Sequence, residues 1–386
     1  MVKRALVNRI LGFRGFSGNL DVSKSIKHHK AFVPPRLVEI IVTNSCNLRC
    51  AMCDRWKWIK ENNSTSKTLS TQRLSELIAE LADFGVKDIL LSGGEPMIRP
   101  DFKSIVEEIS ASKMGVSMFT NGTLLNRENA EAIAAANATV FLSLDGASET
   151  HDKIRGVRGT FDRAIQGIEY LANAKRESRS KNRTIINFTV QRSNVDDVAA
   201  IFGVADKKGA DLVAYNLVHG KPEVAPDERD VDTLRKGFET ISRLAASSGT
   251  RYIIGDMVQA LIEDKISLQD VRAGIPAFSL FKNSPVPCLA AYKTSFIDTL
   301  GRVYPCCFCY MDNSPYNESE KMRNRFCMGS IHETGFREIW YGTKYDKFRV
   351  ETDPVDINDL RYFCGQCYDY FAFRKQGRPT GLLQKN

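Results

Sequence analysis

The sequence predicts an α/β fold: parallel strands alternating with helices, followed by a cysteine-rich C-terminal region. Three observations predict it. Six short apolar segments recur between amphipathic stretches from Leu37 to Asn216. Each such segment has the length and composition of a buried parallel strand, and strand–helix alternation at this spacing implies right-handed βαβ units. The ten cysteines fall in two groups, three before residue 54 and seven after residue 287. The chain of 386 residues suits one large or two modest domains.

Taken in order, the strands are expected at Leu37–Thr43, Asp88–Ser92, Gly115–Phe119, Thr139–Leu144, Thr184–Val190 and Leu212–Asn216. The helices between them are expected at Thr71–Phe84, Asp101–Ser112, Asn126–Ala136, Thr160–Ala174 and Val195–Lys208. Ser70 reads as the N-cap of the first helix and Gly85 as its stop. Six repeats are too few for a closed eight-fold barrel. Asp227–Ser247 and Gly255–Asp264 read as further helices. The expected organisation is a basic N-terminal extension (1–36), an α/β core (37–217), a helical bridge (218–287), a C-terminal cysteine domain (288–370) and a tail (371–386).

Directly after the first strand comes Asn44-Ser45-Cys46-Asn47-Leu48-Arg49-Cys50-Ala51-Met52-Cys53. Three thiolates spaced C-x-x-x-C-x-x-C can bind three irons of a cubane [4Fe–4S] cluster and leave the fourth iron open. A closed zinc site would instead take four ligands, usually in C-x-x-C pairs. The pattern resembles the signature of the radical S-adenosylmethionine (SAM) enzymes. That resemblance implies an open partial (β/α)6 TIM-like barrel, with Cys46, Cys50 and Cys53 on a cluster whose exchangeable iron takes SAM. It also implies reductive cleavage of SAM to a 5′-deoxyadenosyl radical, which abstracts hydrogen from a substrate. In parallel α/β barrels working residues gather at the C-terminal strand ends, where this loop lies.

Downstream motifs follow the same resemblance. Gly93, Gly94, Glu95 and Pro96 look like the GGEP motif, with Glu95 or nearby carbonyls holding the SAM ammonium. Asn121, in Thr120-Asn121-Gly122, resembles a common feature at the third strand end, though an Asn-Gly turn explains it nearly as well. Ser143-Leu144-Asp145-Gly146 and His151-Asp152-Lys153-Ile154-Arg155 resemble the S-x-D-G…H-D-x-x-R segment of the SPASM-bearing branch. By that likeness Ser143 and Arg155 contact the SAM carboxylate, Asp145 meets ribose or substrate hydroxyls, and His151 has no assigned role. A guanidinium suits a carboxylate because its donors form a fixed fork. Trp56, Lys57, Trp58 and Arg36 either line the cavity or pack over it.

The spacing Cys288…Gly301-x4-Cys306 resembles the opening of a SPASM/twitch extension. A hairpin of Ser295–Leu300 and Arg302–Tyr304, turning at Gly301, is expected there. Cys364 and Cys367 form a C-x-x-C, while Met328–Glu333 and Ile339-Trp340 look like the linking segment. The resemblance makes Cys288, Cys306, Cys364 and Cys367 the ligands of one auxiliary [4Fe–4S] cluster. Read from the residues alone, four thiolates in two pairs describe a zinc ribbon equally well. The C-x-x-C-x5-C-x3-C run of a second auxiliary cluster is absent. Cys307, Cys309 and Cys327 remain as thiol hydrogen donors, ligands of an open cluster, or small buried side chains.

Charge narrows the partners. Of the net charge of +8, residues 1–36 carry eight basic side chains against the single acid Asp21, a net +7. The remainder is nearly neutral, so nucleic acid is not expected as a partner. No apolar run reaches the length of a membrane helix and no secretory signal is visible. Ten cysteines without an export signal point to a reducing, cytoplasmic setting and to metal ligation. The expected partners are a reductant protein such as flavodoxin or ferredoxin and a substrate that is a small molecule or a peptide. No leader-peptide-binding domain fits into the first 36 residues. The expected reaction is oxidation or epimerisation of a polar metabolite. The alternatives are radical modification of a ribosomal peptide or, in another class, a non-catalytic iron–sulfur or zinc protein.

Overall fold

The computed structural model describes residues 20–53, 55–57, 68–218, 221, 223–264, 267–268, 290–309, 324 and 326–351. Cys288, Cys364, Cys367, Trp58 and the tail lie outside the described residues. Among the described residues ten strands are present: β1 (Leu37–Thr43), β2 (Asp88–Gly93), β3 (Gly115–Thr120), β4 (Thr139–Ser143), β5 (Arg183–Val190), β6 (Leu212–Leu217), β7 (Arg251–Ile254), β8 (Thr294–Ile297), β9 (Arg302–Tyr304) and β10 (Gly329–Ser330). The six strands expected from the sequence match β1–β6 to within one residue at either end. The chain forms two compact units, one of residues 1–45, 58–117 and 283–379, the other of residues 46–57, 118–282 and 380–386.

In the first unit β1 pairs in parallel with β2 on one side and with β8 on the other. Antiparallel β9 and β10 continue outward from β8. The helix Thr71–Phe84 connects β1 to β2. Ser70 Oγ accepts from Arg73 N at its start, and Gly85 ends it in the left-handed region at φ +97°. Its buried stripe of Leu74, Leu77, Ile78, Leu81 and Phe84 has helical spacing. Burying each such side chain contributes about 1.5–3 kcal/mol. The expected hairpin turns at Gly301, φ +74°, with the Asp298 carboxylate accepting from Leu300 N and Arg302 N. A side chain at Gly301 would also meet Ile331 and His332 at under 3 Å. Arg349, fully buried, is clamped by carbonyls of Ala291 and Trp340 and by the Asp346 carboxylate, among the rings of Trp340 and Tyr345.

In the second unit β4, β5, β6 and β7 lie side by side in parallel. Alternate side chains explain the two faces of this sheet. Val140, Leu142, Phe188, Val213 and Tyr215 are buried, and Tyr215 Oη donates to Val198 O at the start of the helix Val198–Lys208. Phe141, Ser143, Asn187, Thr189, Ala214 and Asn216 alternate with them and are only half-buried.

Two elements depart from the sequence reading. Arg251–Ile254 falls within the stretch expected to be a helical bridge, yet it is β7, parallel to β6. Four residues are too few for periodicity to separate strand from helix. The helix Ser148–Arg155 has no counterpart among the expected elements. It buries only His151, Ile154 and Arg155, so it shows no apolar stripe. Its stability comes from what those polar residues bind.

Candidate active site

The cysteine loop of the second unit is held by backbone bonds to the end of the helix Ser148–Arg155. Arg49 N donates to Arg155 O at 3.1 Å, and Ala51 N donates to Ile154 O at 2.8 Å. Gly156, at φ +72°, makes this contact possible, because a Cβ there would stand 2.5 Å from Arg49 O. Within the loop Cys53 N donates to Cys50 O. Cys50 is buried, whereas Cys46 and Cys53 are half-buried.

Arg155 lies under the loop. Its Nη1 donates to Cys50 Sγ at 3.5 Å, and its Nη2 stands 2.6 Å from Asp145 Oδ2. The side chains of Arg155 and Asp145 are 8% and 0% exposed. Burial opposes the arginine's charge, but Asp145 and the Cys50 sulfur lift its pKa above the ordinary value. Burial also pushes Asp145 up while Arg155 pulls it down. With the two charges in contact, the ion pair is the form that leaves neither uncompensated. The Cys50 thiol is pushed up by burial and drawn back by the arginine. Nε of Arg155 is buried without a hydrogen-bond partner.

This arrangement moves Asp145 from the role expected of it. One oxygen accepts from Thr189 N at 2.8 Å and the other meets Arg155, so the carboxylate lies behind the guanidinium instead of facing a ribose or substrate hydroxyl. Asn194 fastens the same corner by donating to both Asp145 O and Thr189 O. His151, unassigned from sequence, supports the backbone here, since its Nδ1 accepts from Asp145 N at 3.0 Å. Burial, with the nearby Arg155 charge, pushes its pKa down to about 3, so it is neutral with its proton on Nε2. Asn121 ties the other end of the loop. Its Nδ2 donates to Asn47 Oδ1 at 2.9 Å and lies 4.0 Å from Cys46 Sγ, while its Oδ1 accepts from Thr123. Ser143, half-buried, ends β4 opposite Asn187 of β5.

In the first unit the glycine motif follows β2. Gly94 N donates to Thr43 O and Glu95 N to Ser45 O. A Cβ on Gly94 would stand 2.1 Å from Ser45 O, so only glycine fits. Glu95 is fully buried and accepts from Met97 N, capping the short turn at Pro96–Ile98. This favours the nearby carbonyls over the Glu95 carboxylate as seat for an ammonium. Asn44, immediately before the cysteine loop in sequence, donates to Thr299 Oγ1. Farther along, Cys306 and Cys309 sulfurs lie 3.7 Å apart, and Cys327 Sγ donates to Gly329 O.

The residues present fit a three-thiolate cluster with a bound zwitterion: three cysteines on one loop, a charged guanidinium beneath it, and a buried Nε with no hydrogen-bond partner among the described residues. Among the described residues no three His, Cys, Asp or Glu side chains converge as they would on one metal ion. Thiolates on different irons of a cube need not so converge.

The comparisons with known proteins decide the family. The model of the Radical SAM superfamily matches residues 40–202, and that of SPASM, an iron–sulfur cluster-binding domain, matches residues 288–368. An AdoMet-dependent heme synthase of Methanosarcina barkeri (strain Fusaro) is 30% identical over 346 residues, 86% of this chain and 88% of that one. This chain belongs to the radical SAM superfamily and carries a SPASM domain. A mycofactocin maturase MftC of Mycolicibacterium smegmatis is a further relative, 30% identical over 86% of this chain and 75% of its own. Streptococcus suis SuiB bound to S-adenosylmethionine shares the fold, with a TM-score of 0.63, 16% identity and coverage of 97% of this chain and 84% of that one. The α/β class expected from sequence is thus the class found. The radical SAM domain implies a [4Fe–4S] cluster and SAM, and the SPASM domain implies auxiliary iron–sulfur clusters. No helix of the described residues is long and apolar enough to cross a membrane.

The close approach at Gly94 is open to a direct check. Gly94→Val displaces the backbone at Ser45 and should destabilise the fold by about 1–3 kcal/mol, read from denaturant midpoints; a midpoint that matches wild type contradicts the close-packing role. His151 has a folded pKa below its unfolded value of 6.5, so the unfolded chain binds the extra proton and stability falls as pH drops below 6.5. His151→Asn should flatten that fall by up to about 1.4 kcal/mol per pH unit between pH 6.5 and pH 5, read from denaturant midpoints. An unaltered slope would show that His151 is not held neutral.

Proposed function

We propose that the chain cleaves SAM reductively and uses the resulting radical to abstract hydrogen from a small metabolite in a net oxidation. The observation that carries this reading is the buried Cys50–Arg155–Asp145 contact under the three-cysteine loop. Cys46, Cys50 and Cys53 would hold the cluster. Arg155 would receive the SAM carboxylate through Nε, its charge secured by Asp145. Ser143 would add a hydroxyl at the end of β4. When bound, the cluster supplies the single electron that breaks a C–S bond of SAM.

The half-buried sheet face of the second unit supplies groups to bind a substrate. Phe119, 38% exposed, lies with its ring 5.0 Å from that of Phe141 and tilted to it by 35°, giving an apolar patch. Asn216 donates to Asn187 at 2.8 Å on the same sheet, adding amide groups. A compact substrate with both an apolar portion and polar edges suits such a face. The relative described as a heme synthase, similar along nearly its whole length, supports a small-molecule substrate. The relatives described as mycofactocin maturases support a second reading, modification of a peptide. A reductant such as flavodoxin or ferredoxin would deliver the electron, and the auxiliary centre would accept one from the substrate radical.

The test is anaerobic. Reconstituted, reduced protein should convert SAM to 5′-deoxyadenosine, Cys50→Ala should fall to background, and Cys364→Ala should retain part of this uncoupled cleavage. Cleavage undiminished in Cys50→Ala contradicts the assignment. Product formation only on a peptide encoded beside the gene would select the second reading.

A further inference from the structure

A seat for the SAM carboxylate and a strongly reducing cluster ask opposite things of the same spot. The seat needs positive charge. A cluster that must push an electron into a C–S bond is the stronger reductant the less positive charge stands beside it, since a cation or a hydrogen bond at a sulfur favours the electron-rich form. In the second unit both demands meet at Arg155. Its Nη1 donates to Cys50 Sγ at 3.5 Å, and the arginine side chain is 8% exposed. Cys50 is buried as well, so salt and water screen the contact little.

Asp145 stands against that charge. Its Oδ2 lies 2.6 Å from Arg155 Nη2, and it is the one acid paired with Arg155 among the described residues. The carboxylate is fully buried and held in place: Oδ1 accepts from Thr189 N at 2.8 Å, and Asn194 Nδ2 ties Asp145 O to Thr189 O. His151 Nδ1 accepts from Asp145 N at 3.0 Å. An accepting ring nitrogen carries no proton, so this imidazole adds no second positive charge. Asp152, on the same helix as Arg155, and Asp197 turn their oxygens to backbone N–H groups of Gly159, Phe161 and Ala147 instead.

We propose that Asp145 sets the reduction potential of the cluster on Cys46, Cys50 and Cys53: it offsets the guanidinium's charge at Cys50, and so keeps the cluster strongly reducing while Arg155 still serves the SAM carboxylate. This role rests on the three-cysteine cluster of the proposed function. Asp145 acts through Arg155 and is a positioning residue. The role also explains why an acid stands here. Thr189 N and the Arg155 N–H need only an oxygen acceptor, which a neutral amide would supply; offsetting a charge needs a carboxylate.

The experiment is a redox titration of the full chain, anaerobically reconstituted with iron and sulfide, without SAM. The electron paramagnetic resonance signal followed is the one lost when Cys46, Cys50 and Cys53 are all changed to Ala, which separates it from auxiliary centres. Asp145→Asn keeps the shape and removes the negative charge, and should raise the midpoint by at least about 59 mV, a tenfold change in a one-electron equilibrium. Arg155→Gln removes the positive charge and should lower the midpoint by a similar amount. The double variant, with neither charge, should lie between the two. Loosened packing alone gives no reason for the single variants to move in opposite directions. Asp145→Asn at or below the wild-type midpoint, or Arg155→Gln at or above it, overturns the proposal; Arg155→Gln decides where Asp145→Asn holds no cluster. A wild-type chain without that signal overturns the three-cysteine cluster and this role together, whereas a wild-type signal indifferent to both substitutions overturns this role and leaves SAM cleavage standing.

Discussion

The structure of the second unit depends on one buried charge. A guanidinium at Arg155 could not remain where it is without Asp145 in contact, since removing one partner of a buried pair costs about 3–5 kcal/mol. Several neighbouring features serve this pair. His151 and Asn194 hold the Asp145 backbone, Thr189 N occupies its second oxygen, and the helix ending at Arg155 accepts two backbone bonds from the cysteine loop. The loop's shape and the arginine's charge are therefore one feature. An arginine placed this way presents a fixed positive group beside a thiolate, which suits a ligand that is both chelating and anionic at one end.

The core of the fold is legible in the sequence because its signals are local. Runs such as Leu37–Thr43 and Thr184–Val190 declare buried strands, and Ser70 and Gly85 bracket their helix as capping chemistry requires. The cysteine loop is legible from spacing alone. What escapes a sequence reading is whatever depends on distant partners. The helix Ser148–Arg155 lacks an apolar stripe and exists because His151 and Arg155 find Asp145. The role of Asp145 is hidden for the same reason: its sequence neighbours suggest a ligand-facing carboxylate, and only the fold shows the arginine in front of it. Glu95 follows suit, since a carboxylate in a glycine-rich strand end gives no sign that it will turn inward to cap Pro96–Ile98. β7 is hidden by its brevity.

The C-terminal region is joined to the core more closely than a separate appendage would be. β8 pairs with β1 over Leu37–Ile40, so the hairpin that carries Cys306 extends the same sheet as the strand leading into the cysteine loop. Gly301 and Asp298 set that hairpin, and Arg349 among Trp340 and Tyr345 fixes the helices that back it.

The most direct test of the account is SAM binding by the reconstituted, reduced protein with Arg155 replaced by Lys. Lysine keeps the positive charge and loses the fork, so it separates charge from geometry. The measurement is the change that SAM induces in the cluster's electron paramagnetic resonance spectrum, titrated to saturation. If Arg155 is the carboxylate seat, Arg155→Lys should keep the cluster and its spectrum without SAM, while the SAM-induced change requires at least about tenfold more SAM. A titration that superimposes on wild type would contradict the account.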